Sequence, residues 1–259
     1  ADFEKVLEGK NVKGITERAM KYDLTIPFAR YVAMNRGTIT FPFKRYQIQA
    51  VWRADRPQRG RYREFTQCDA DIVGSKSLLN EIDLIQIYTN VFSSLKIDVE
   101  ICINNRKILA ALAEQCGGLQ LLTDITIAID KLDKTTLEKV VEELMIKNIS
   151  QEAIEIIKKY LAFKSFETNK EILQNLEEMF AENELGKQGI KELKFVTDVC
   201  THTKIDVTLA RGLNYYTGTI LEVKPLNIQM GSIGGGGRYD DLTGLFGVAD
   251  IPGVGISFG

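Results

Sequence analysis

The sequence RADRPQRGRYREFTQCDADIVG at residues 53–74 is the most informative part of this chain. Polar and apolar residues alternate on both sides of an arginine-rich segment, which predicts two strands joined by a loop. In the second strand Phe65, Gln67, Asp69 and Asp71 share one face, because side chains alternate between the two faces of a strand. We therefore expect a hairpin with one polar face.

The run before the loop supplies the matching face of the first strand. The alternate residues Gln47, Gln49, Val51 and Arg53 lie on one face of this strand. The loop contributes three more arginines, Arg56, Arg59 and Arg61. Guanidinium, aromatic, amide and carboxylate groups on one surface suit a ligand that combines phosphates, a flat ring and an ammonium group. The alternative is an ordinary solvated sheet face beside an exposed loop.

Length and charge narrow the class of protein. A chain of 259 residues is long enough for one large domain or one domain with a substantial insertion. The net charge is -2, so we expect any contact with nucleic acid to depend on local patches rather than on a basic overall field. No apolar run approaches the roughly 20 residues of a membrane span, which predicts no membrane association.

Cysteine and histidine usage favours a cytoplasmic protein without a histidine-rich metal site. The four cysteines have no paired metal-ligand spacing and are predicted to be reduced thiols; they are Cys68, Cys102, Cys116 and Cys200. The single histidine, His202, is predicted to be a surface or hydrogen-bonded residue rather than a catalyst.

Three segments carry a family resemblance. WRADRPQRGRYREFTQCD at residues 52–69 resembles motif 2 of the class II aminoacyl-tRNA synthetases, and in detail that of the histidyl-tRNA synthetase family. LARGLNYYTG at 209–218 resembles a signature of the histidine-specific members, and GGGGRYDDL at 234–242 resembles the segment that follows it. YDLTIPFARY at 22–31 resembles the segment that holds the ammonium group of the amino acid, and predicts a helix from about Thr25 to Gly37.

The resemblance implies an α+β fold, with a class II synthetase-like, mainly antiparallel sheet flanked by helices and interrupted by a helical insertion. Residues 1–121 would form the first part of the catalytic core, with motif 2 at 44–74. Residues 122–194 would form the insertion domain. Residues 195–259 would form the second part, with the signature at 209–218, a glycine loop at 234–237 and the start of motif 3. We expect a fragment of a longer protein, in which motif 1 is missing or incomplete and which lacks the motif 3 arginine and the anticodon-binding domain.

The predicted insertion consists of successive amphipathic stretches in which Glu and Lys recur at i,i+4 spacing. In the family, an insertion at this place is thought to embrace the acceptor arm of the tRNA. The alternative is that these charged helix faces are simply solvated.

The resemblance assigns roles to particular residues. The two arginines expected to act in catalysis are Arg53 and Arg211. Histidine binding is assigned to Asp23, Thr25, Arg53, Gln67, Asp71, Arg211, Tyr215 and Tyr216. ATP binding is assigned to Arg53, Asp55, Arg61, Phe65 and Arg211. The family usually has Asp where this chain has Asn214, bacterial relatives often have Glu in place of Asp71, and the resemblance gives Asp69 no role.

The implied reaction joins L-histidine to ATP and then transfers histidine to its tRNA, with Mg²⁺ beside the phosphates. The attacking carboxylate is already ionised, so the step requires positioning and charge stabilisation rather than a base. A homodimer is expected for the full-length protein. The alternative is a non-catalytic relative that resembles the regulatory subunit of ATP phosphoribosyltransferase. Those relatives tend to lose the arginine signature, which this chain retains.

Overall fold

The computed structural model of this chain describes residues 19–57, 60–133, 135–210, 215–228 and 230–259. Within these ranges it contains a seven-stranded sheet. The strands are β1 Phe43–Trp52, β2 Glu64–Val73, β3 Val99–Asn105, β4 Thr203–Ile205, β5 Thr219–Pro225, β6 Gly234–Tyr239 and β7 Gly253–Phe258. Their order across the sheet is β1-β2-β7-β6-β5-β3-β4. Only the β3–β4 pair is parallel, which confirms the predicted mainly antiparallel sheet.

The described residues also form eight α-helices. They are α1 Thr25–Asn35, α2 Leu79–Leu95, α3 Arg106–Gln115, α4 Leu122–Asp130, α5 Leu137–Ile146, α6 Gln151–Ala162, α7 Asn169–Met179 and α8 Glu184–Val199. The helix predicted to begin near Thr25 is confirmed. Among the described helices, none is both long enough and apolar enough to cross a bilayer.

The predicted hairpin is present, with β1 and β2 paired antiparallel so that Gln49 lies opposite Gln67 and Arg45 lies opposite Asp71. Its polar face differs from a solvated sheet face. Gln67, Asp69 and Asp71 are only 7%, 2% and 2% exposed. The solvated-face alternative is therefore wrong for β2, because the polar face of this strand lies inside the protein.

The two faces of the sheet have different chemistry. Ile72, Ile256 and Ile103 belong to the apolar face and to one large buried cluster with residues of α2 and α8. The opposite face carries the polar side chains of β2, and the pairing places Asp69 beside Ser257 and Ser257 beside Gly235. This polar face is where the predicted site residues of β2 meet.

The prediction of a glycine loop at 234–237 is wrong, because these residues form most of strand β6. Close strand packing explains the glycines. A Cβ on Gly236 would lie 2.2 Å from the carbonyl oxygen of Gly255, and one on Gly237 would lie 2.6 Å from that of Thr219. Larger residues at either position would force the strands apart. The glycines thus keep the middle of the sheet compact beside the polar site.

Helices fill the predicted insertion, as the amphipathic pattern indicates. Helix α7 begins with a capping box in which Thr168 and Glu171 each satisfy the backbone N–H of the other. Buried residues of α4 to α8 join the same hydrophobic cluster as the sheet. On the polar side, the amide nitrogen of Asn104 in β3 lies 3.4 Å from the hydroxyl of Tyr160 in α6. The division into a separate insertion domain stays a prediction.

Candidate active site

Asp71 lies at the centre of a buried charge cluster on the polar face. Arg45 Nη2 lies 2.8 Å from Asp71 Oδ2, and the hydroxyl of Tyr239 donates a hydrogen bond of 2.5 Å to Asp71 Oδ1. The Arg45 guanidinium also covers the ring of Phe28, at 4.1 Å from its centroid. A Cβ on Gly255 would lie 2.0 Å from Asp71 Oδ1, so only glycine leaves room for the carboxylate.

Burial raises the pKa of the Asp71 carboxyl from 3.8 to about 6, although Arg45 and Tyr239 oppose this change. In the folded protein Asp71 therefore keeps a proton that the unfolded chain releases between about pH 4 and pH 6. We expect this group to lower the free energy of unfolding as pH rises through that window, by about 3 kcal/mol in total. Urea unfolding at both ends of the window measures the change.

The control is Asp71→Asn, which removes this titration. The fall in unfolding free energy between about pH 4 and pH 6 should be smaller in the variant by the amount that Asp71 contributes. Asp23 and Asp69 also have raised pKa values, so part of the dependence should remain. Identical pH profiles for the two proteins would contradict the buried-carboxylate account.

Asp23 and Thr25 lie together at the start of α1. Asp23 Oδ1 accepts a hydrogen bond from the backbone N–H of Ile26, at 3.2 Å. Thr25 is hydrogen-bonded to the hydroxyl of Tyr215, which brings the signature segment against this helix. Burial raises the pKa of Asp23, and the positive charge of Arg53 acts against that rise. The two residues assigned to the ammonium group therefore sit beside one of the tyrosines assigned to the histidine pocket.

The tyrosine pair lies beside the same cluster. The rings of Tyr215 and Tyr216 make an edge-to-face contact with centroids 4.9 Å apart, and Tyr215 also contacts Tyr239 at 6.1 Å. Burial raises the pKa of Tyr215 to about 12 and raises that of Tyr216 as well. Both hydroxyls are therefore neutral at pH 7 and can donate or accept hydrogen bonds.

Arg53 is fixed between two aromatic rings just beyond the end of β1. Its guanidinium carbon lies 4.5 Å from the ring centroid of Tyr22 and 5.0 Å from that of Phe65. Its Nε donates a 3.2 Å hydrogen bond to the carbonyl of Tyr22. These contacts hold the side chain while the residue remains partly exposed. A fixed, accessible guanidinium is suited to a phosphate or carboxylate ligand.

A cavity of about 580 Å³ opens beside this cluster. Its lining includes Tyr22, Asp23, Tyr215, Thr217 and Asp241. The volume lies within the usual range for small-molecule sites. Asp23 and Tyr215 thus face a space large enough for a ligand.

The remaining predicted site residues either lie outside the described residues or lie apart from the buried cluster. Arg211 and Asn214 lie outside the described residues, as does Arg59, so the roles of Arg211 stay predictions. Asp55 and Arg61 are exposed beside the loop between β1 and β2. Their predicted contacts with ATP also stay predictions. His202 is exposed, and its Nε2 lies 2.8 Å from Thr89 Oγ1, away from the cluster.

Sequence reasoning missed three members of the cluster, Arg45, Tyr239 and Ser257. Arg45 shares the parity of Gln47 on β1, so extending the alternation by two residues would have placed it on the polar face. Tyr239 and Ser257 come from strands far along the chain. They reach the site through the pairing of β7 with both β2 and β6, which alternation within one strand cannot reveal.

Comparisons with known proteins identify the family to which this chain is similar. The model of the histidyl-tRNA synthetase family matches residues 15–259. The histidine–tRNA ligase of Porphyromonas gingivalis is 56% identical over 249 residues, which cover 94% of this chain and 54% of that protein.

Two solved structures share the fold. Histidyl-tRNA synthetase from Nostoc sp. PCC 7120 superposes with a TM-score of 0.82 at 34% identity, covering 92% of this chain and 57% of that one. A protein from Bacillus halodurans C named as an ATP phosphoribosyltransferase regulatory subunit/histidyl-tRNA synthetase has a TM-score of 0.76 at 20% identity, covering 92% and 62%. At that identity the second likeness concerns the fold alone.

This chain spans about half the length of the curated relatives that it matches. The match to the family nevertheless runs through nearly all of the chain, including the hairpin, the signature segment and the glycine-rich strand. The chain therefore belongs to the histidyl-tRNA synthetase family.

Proposed function

We propose that the protein containing this chain activates L-histidine with ATP and transfers it to the 3′ end of histidine tRNA. The observation that carries the proposal is the buried polar face of β2, where Gln67 and Asp71 lie near Asp23 and the tyrosine pair, beside a fixed arginine. Carboxylates suit the ammonium group and the ring N–H groups of histidine, and a guanidinium suits the carboxylate and phosphates.

The first step would be attack of the histidine carboxylate on the α-phosphate of ATP, which forms histidyl-adenylate and releases pyrophosphate. Both reacting groups are anionic, so the main tasks are to hold them in line and to offset their charge. Arg53 is held for this task by Tyr22 and Phe65, and Arg211 is the second proposed contributor. Phe65 also offers an aromatic ring on which adenine can stack.

Mg²⁺ would enter as the counter-ion of ATP. In the part of the chain that the structure describes, no group of three or more His, Cys, Asp or Glu side chains is arranged to hold a metal. A magnesium ion on a nucleotide is usually bound by the phosphates, by water and by one or two carboxylates, so such a group is not required for this ion.

Contact with tRNA through the insertion would be local. Residues 122–194 contain 11 lysines and 15 acidic residues, a net charge of −4, so their overall field repels the phosphate backbone. Homodimerisation of the full-length protein remains part of the proposal. So does a cytoplasmic location, which fits the four free thiols.

The test is ATP–pyrophosphate exchange with a panel of amino acids, using this chain and a version extended at both ends to the length of its relatives. We expect exchange with histidine and not with other amino acids, because the carboxylates and tyrosines select an imidazole ring. An extended protein that binds histidine but never exchanges pyrophosphate would overturn the proposal and favour the regulatory alternative. An active extended form beside an inactive chain would show that the reaction requires the added segments.

A further inference from the structure

Asp69 is a buried acid on the polar face for which the family resemblance supplies no role. It lies between Gln67 and Asp71 on the same face of β2, opposite Gln47 on β1 and Ser257 on β7. Only 2% of the residue is exposed. Its Oδ1 is buried and receives no hydrogen bond from the described residues. A buried carboxylate oxygen without a donor is costly, so its presence requires a physical reason.

A short relay of side chains, from Gln67 to Ser257 opposite Asp69, leaves two acceptor oxygens of this face without donors among the described residues. The amide nitrogen of Gln67 donates a 2.8 Å hydrogen bond to Ser257 Oγ, and Ser257 lies opposite Asp69 in the β2–β7 pairing, where its hydroxyl lowers the pKa of Asp69. The relay uses the donor of Gln67 and leaves its Oε1 buried, again with no partner in the described part of the chain. Gln67 and Asp69 therefore each have one buried acceptor oxygen that lacks a hydrogen-bond donor among the described residues.

The surrounding charges favour a cationic ligand. Three carboxylates interact here, those of Asp23, Asp69 and Asp71, and the guanidinium groups that act on them belong to Arg45 and Arg53. Arg45 is already held by Asp71, and Arg53 is stacked between two rings. Burial and the charge of Asp23 raise the pKa of Asp69, while Ser257, Arg45 and Arg53 lower it. An incoming positive charge would relieve the repulsion among these acids.

We propose that Asp69 binds the α-ammonium group of the amino-acid substrate, together with Asp23 and Gln67; this inference rests on the proposed function. An ammonium group has three N–H donors, and these residues offer three acceptors: the Asp23 carboxylate, Gln67 Oε1 and Asp69 Oδ1. Asp71 and the tyrosines then remain for the imidazole ring. The buried oxygen of Asp69 is thus unpaired only until the substrate arrives.

The inference is tested with ligands that differ in the ammonium group. Histidine and histidinol carry it, whereas imidazolepropionate has the ring and the carboxylate but no ammonium. Asp69→Asn keeps the shape of the side chain and removes its charge. We expect it to weaken binding of histidine and histidinol by about 10- to 100-fold, the usual effect of one charge-assisted hydrogen bond. Binding of imidazolepropionate should be unchanged. Calorimetry or competition binding on the full-length protein provides the affinities.

Two controls separate binding from folding. Asp83→Asn makes the same chemical change at a half-exposed acid that pairs with Lys44, and it should bind all three ligands as the parent does. The melting temperature of Asp69→Asn should not fall, because the change removes an incompletely paired buried charge. A variant that melts much earlier would mean that Asp69 supports the fold instead.

The outcomes are distinguishable. If the parent protein binds neither histidine nor histidinol, the proposed function fails. If the parent binds both and Asp69→Asn binds them equally well, only the role of Asp69 is overturned. If all three ligands weaken together, Asp69 acts on the pocket as a whole and the ammonium assignment is wrong.

Discussion

Replacing Arg53 with alanine is expected to lower the kcat/KM of histidine-dependent pyrophosphate exchange by about 100- to 1000-fold, the range found when one preorganised charge-stabilising donor is removed. We expect this loss because the Arg53 side chain is held in a fixed position. Tyr22 and Phe65 hold the guanidinium from two sides, so its orientation is set before the substrates bind. A water-filled space cannot supply a fixed positive charge at the same place. Steady-state exchange in the extended protein measures the loss.

Arg63→Ala is the matched control for Arg53→Ala. Arg63 is exposed in the same hairpin, and its backbone carbonyl, which alanine retains, accepts a 2.8 Å hydrogen bond from the N–H of Arg53. This control should keep near-parent activity. Arg53→Lys should recover only part of the loss, because an ammonium group lacks the planar fork of a guanidinium. Exchange within a few-fold of the parent in Arg53→Ala would show that Arg53 is not a catalytic group.

The hairpin and its polar face were predictable because they depend on local rules. Alternation along residues 64–73 places Gln67 and Asp71 on one face whatever the rest of the chain does. The same rule does not reveal which face is buried. Asp71 is buried because β7 continues the sheet beyond β2 and because Arg45 and Tyr239 cover its carboxylate, contacts that join residues far apart in sequence.

The glycine run illustrates a different limit. A segment of four glycines at 234–237 indicates a loop by composition, since glycine weakens a strand. The structure has a strand there because its neighbours lie so close that a Cβ would collide with backbone atoms of β5 and β7. The reason for the glycines lies in the adjacent strands, so the local sequence cannot supply it.

The buried ion pair between Glu81 and Arg238 should carry the largest stability effect outside the site. Arg238 Nε and Nη2 each lie 2.6 Å from one carboxylate oxygen of Glu81, and the side chains are 4% and 0% exposed. The pair ties α2 to β6 on the apolar side of the sheet. We expect Arg238→Met to lower the free energy of unfolding by about 3–5 kcal/mol, because it leaves the buried Glu81 carboxylate without its partner. Glu81→Met should cost less, because Arg238 keeps Asp240 at 3.4 Å and the carbonyl of Ser77 at 3.2 Å. Urea unfolding measures both variants.

The double variant Glu81→Met/Arg238→Met decides whether the charge pair or the packing matters. Two methionines restore an apolar contact, so most of the single-variant loss should be recovered. The pair also has a link to the site, since Arg238 precedes Tyr239, which donates to Asp71. If the pair positions Tyr239, the double variant should be stable yet bind histidine more weakly. Single variants that each cost less than about 1 kcal/mol would contradict the pair's role, because a surface-like ion pair contributes no more than that.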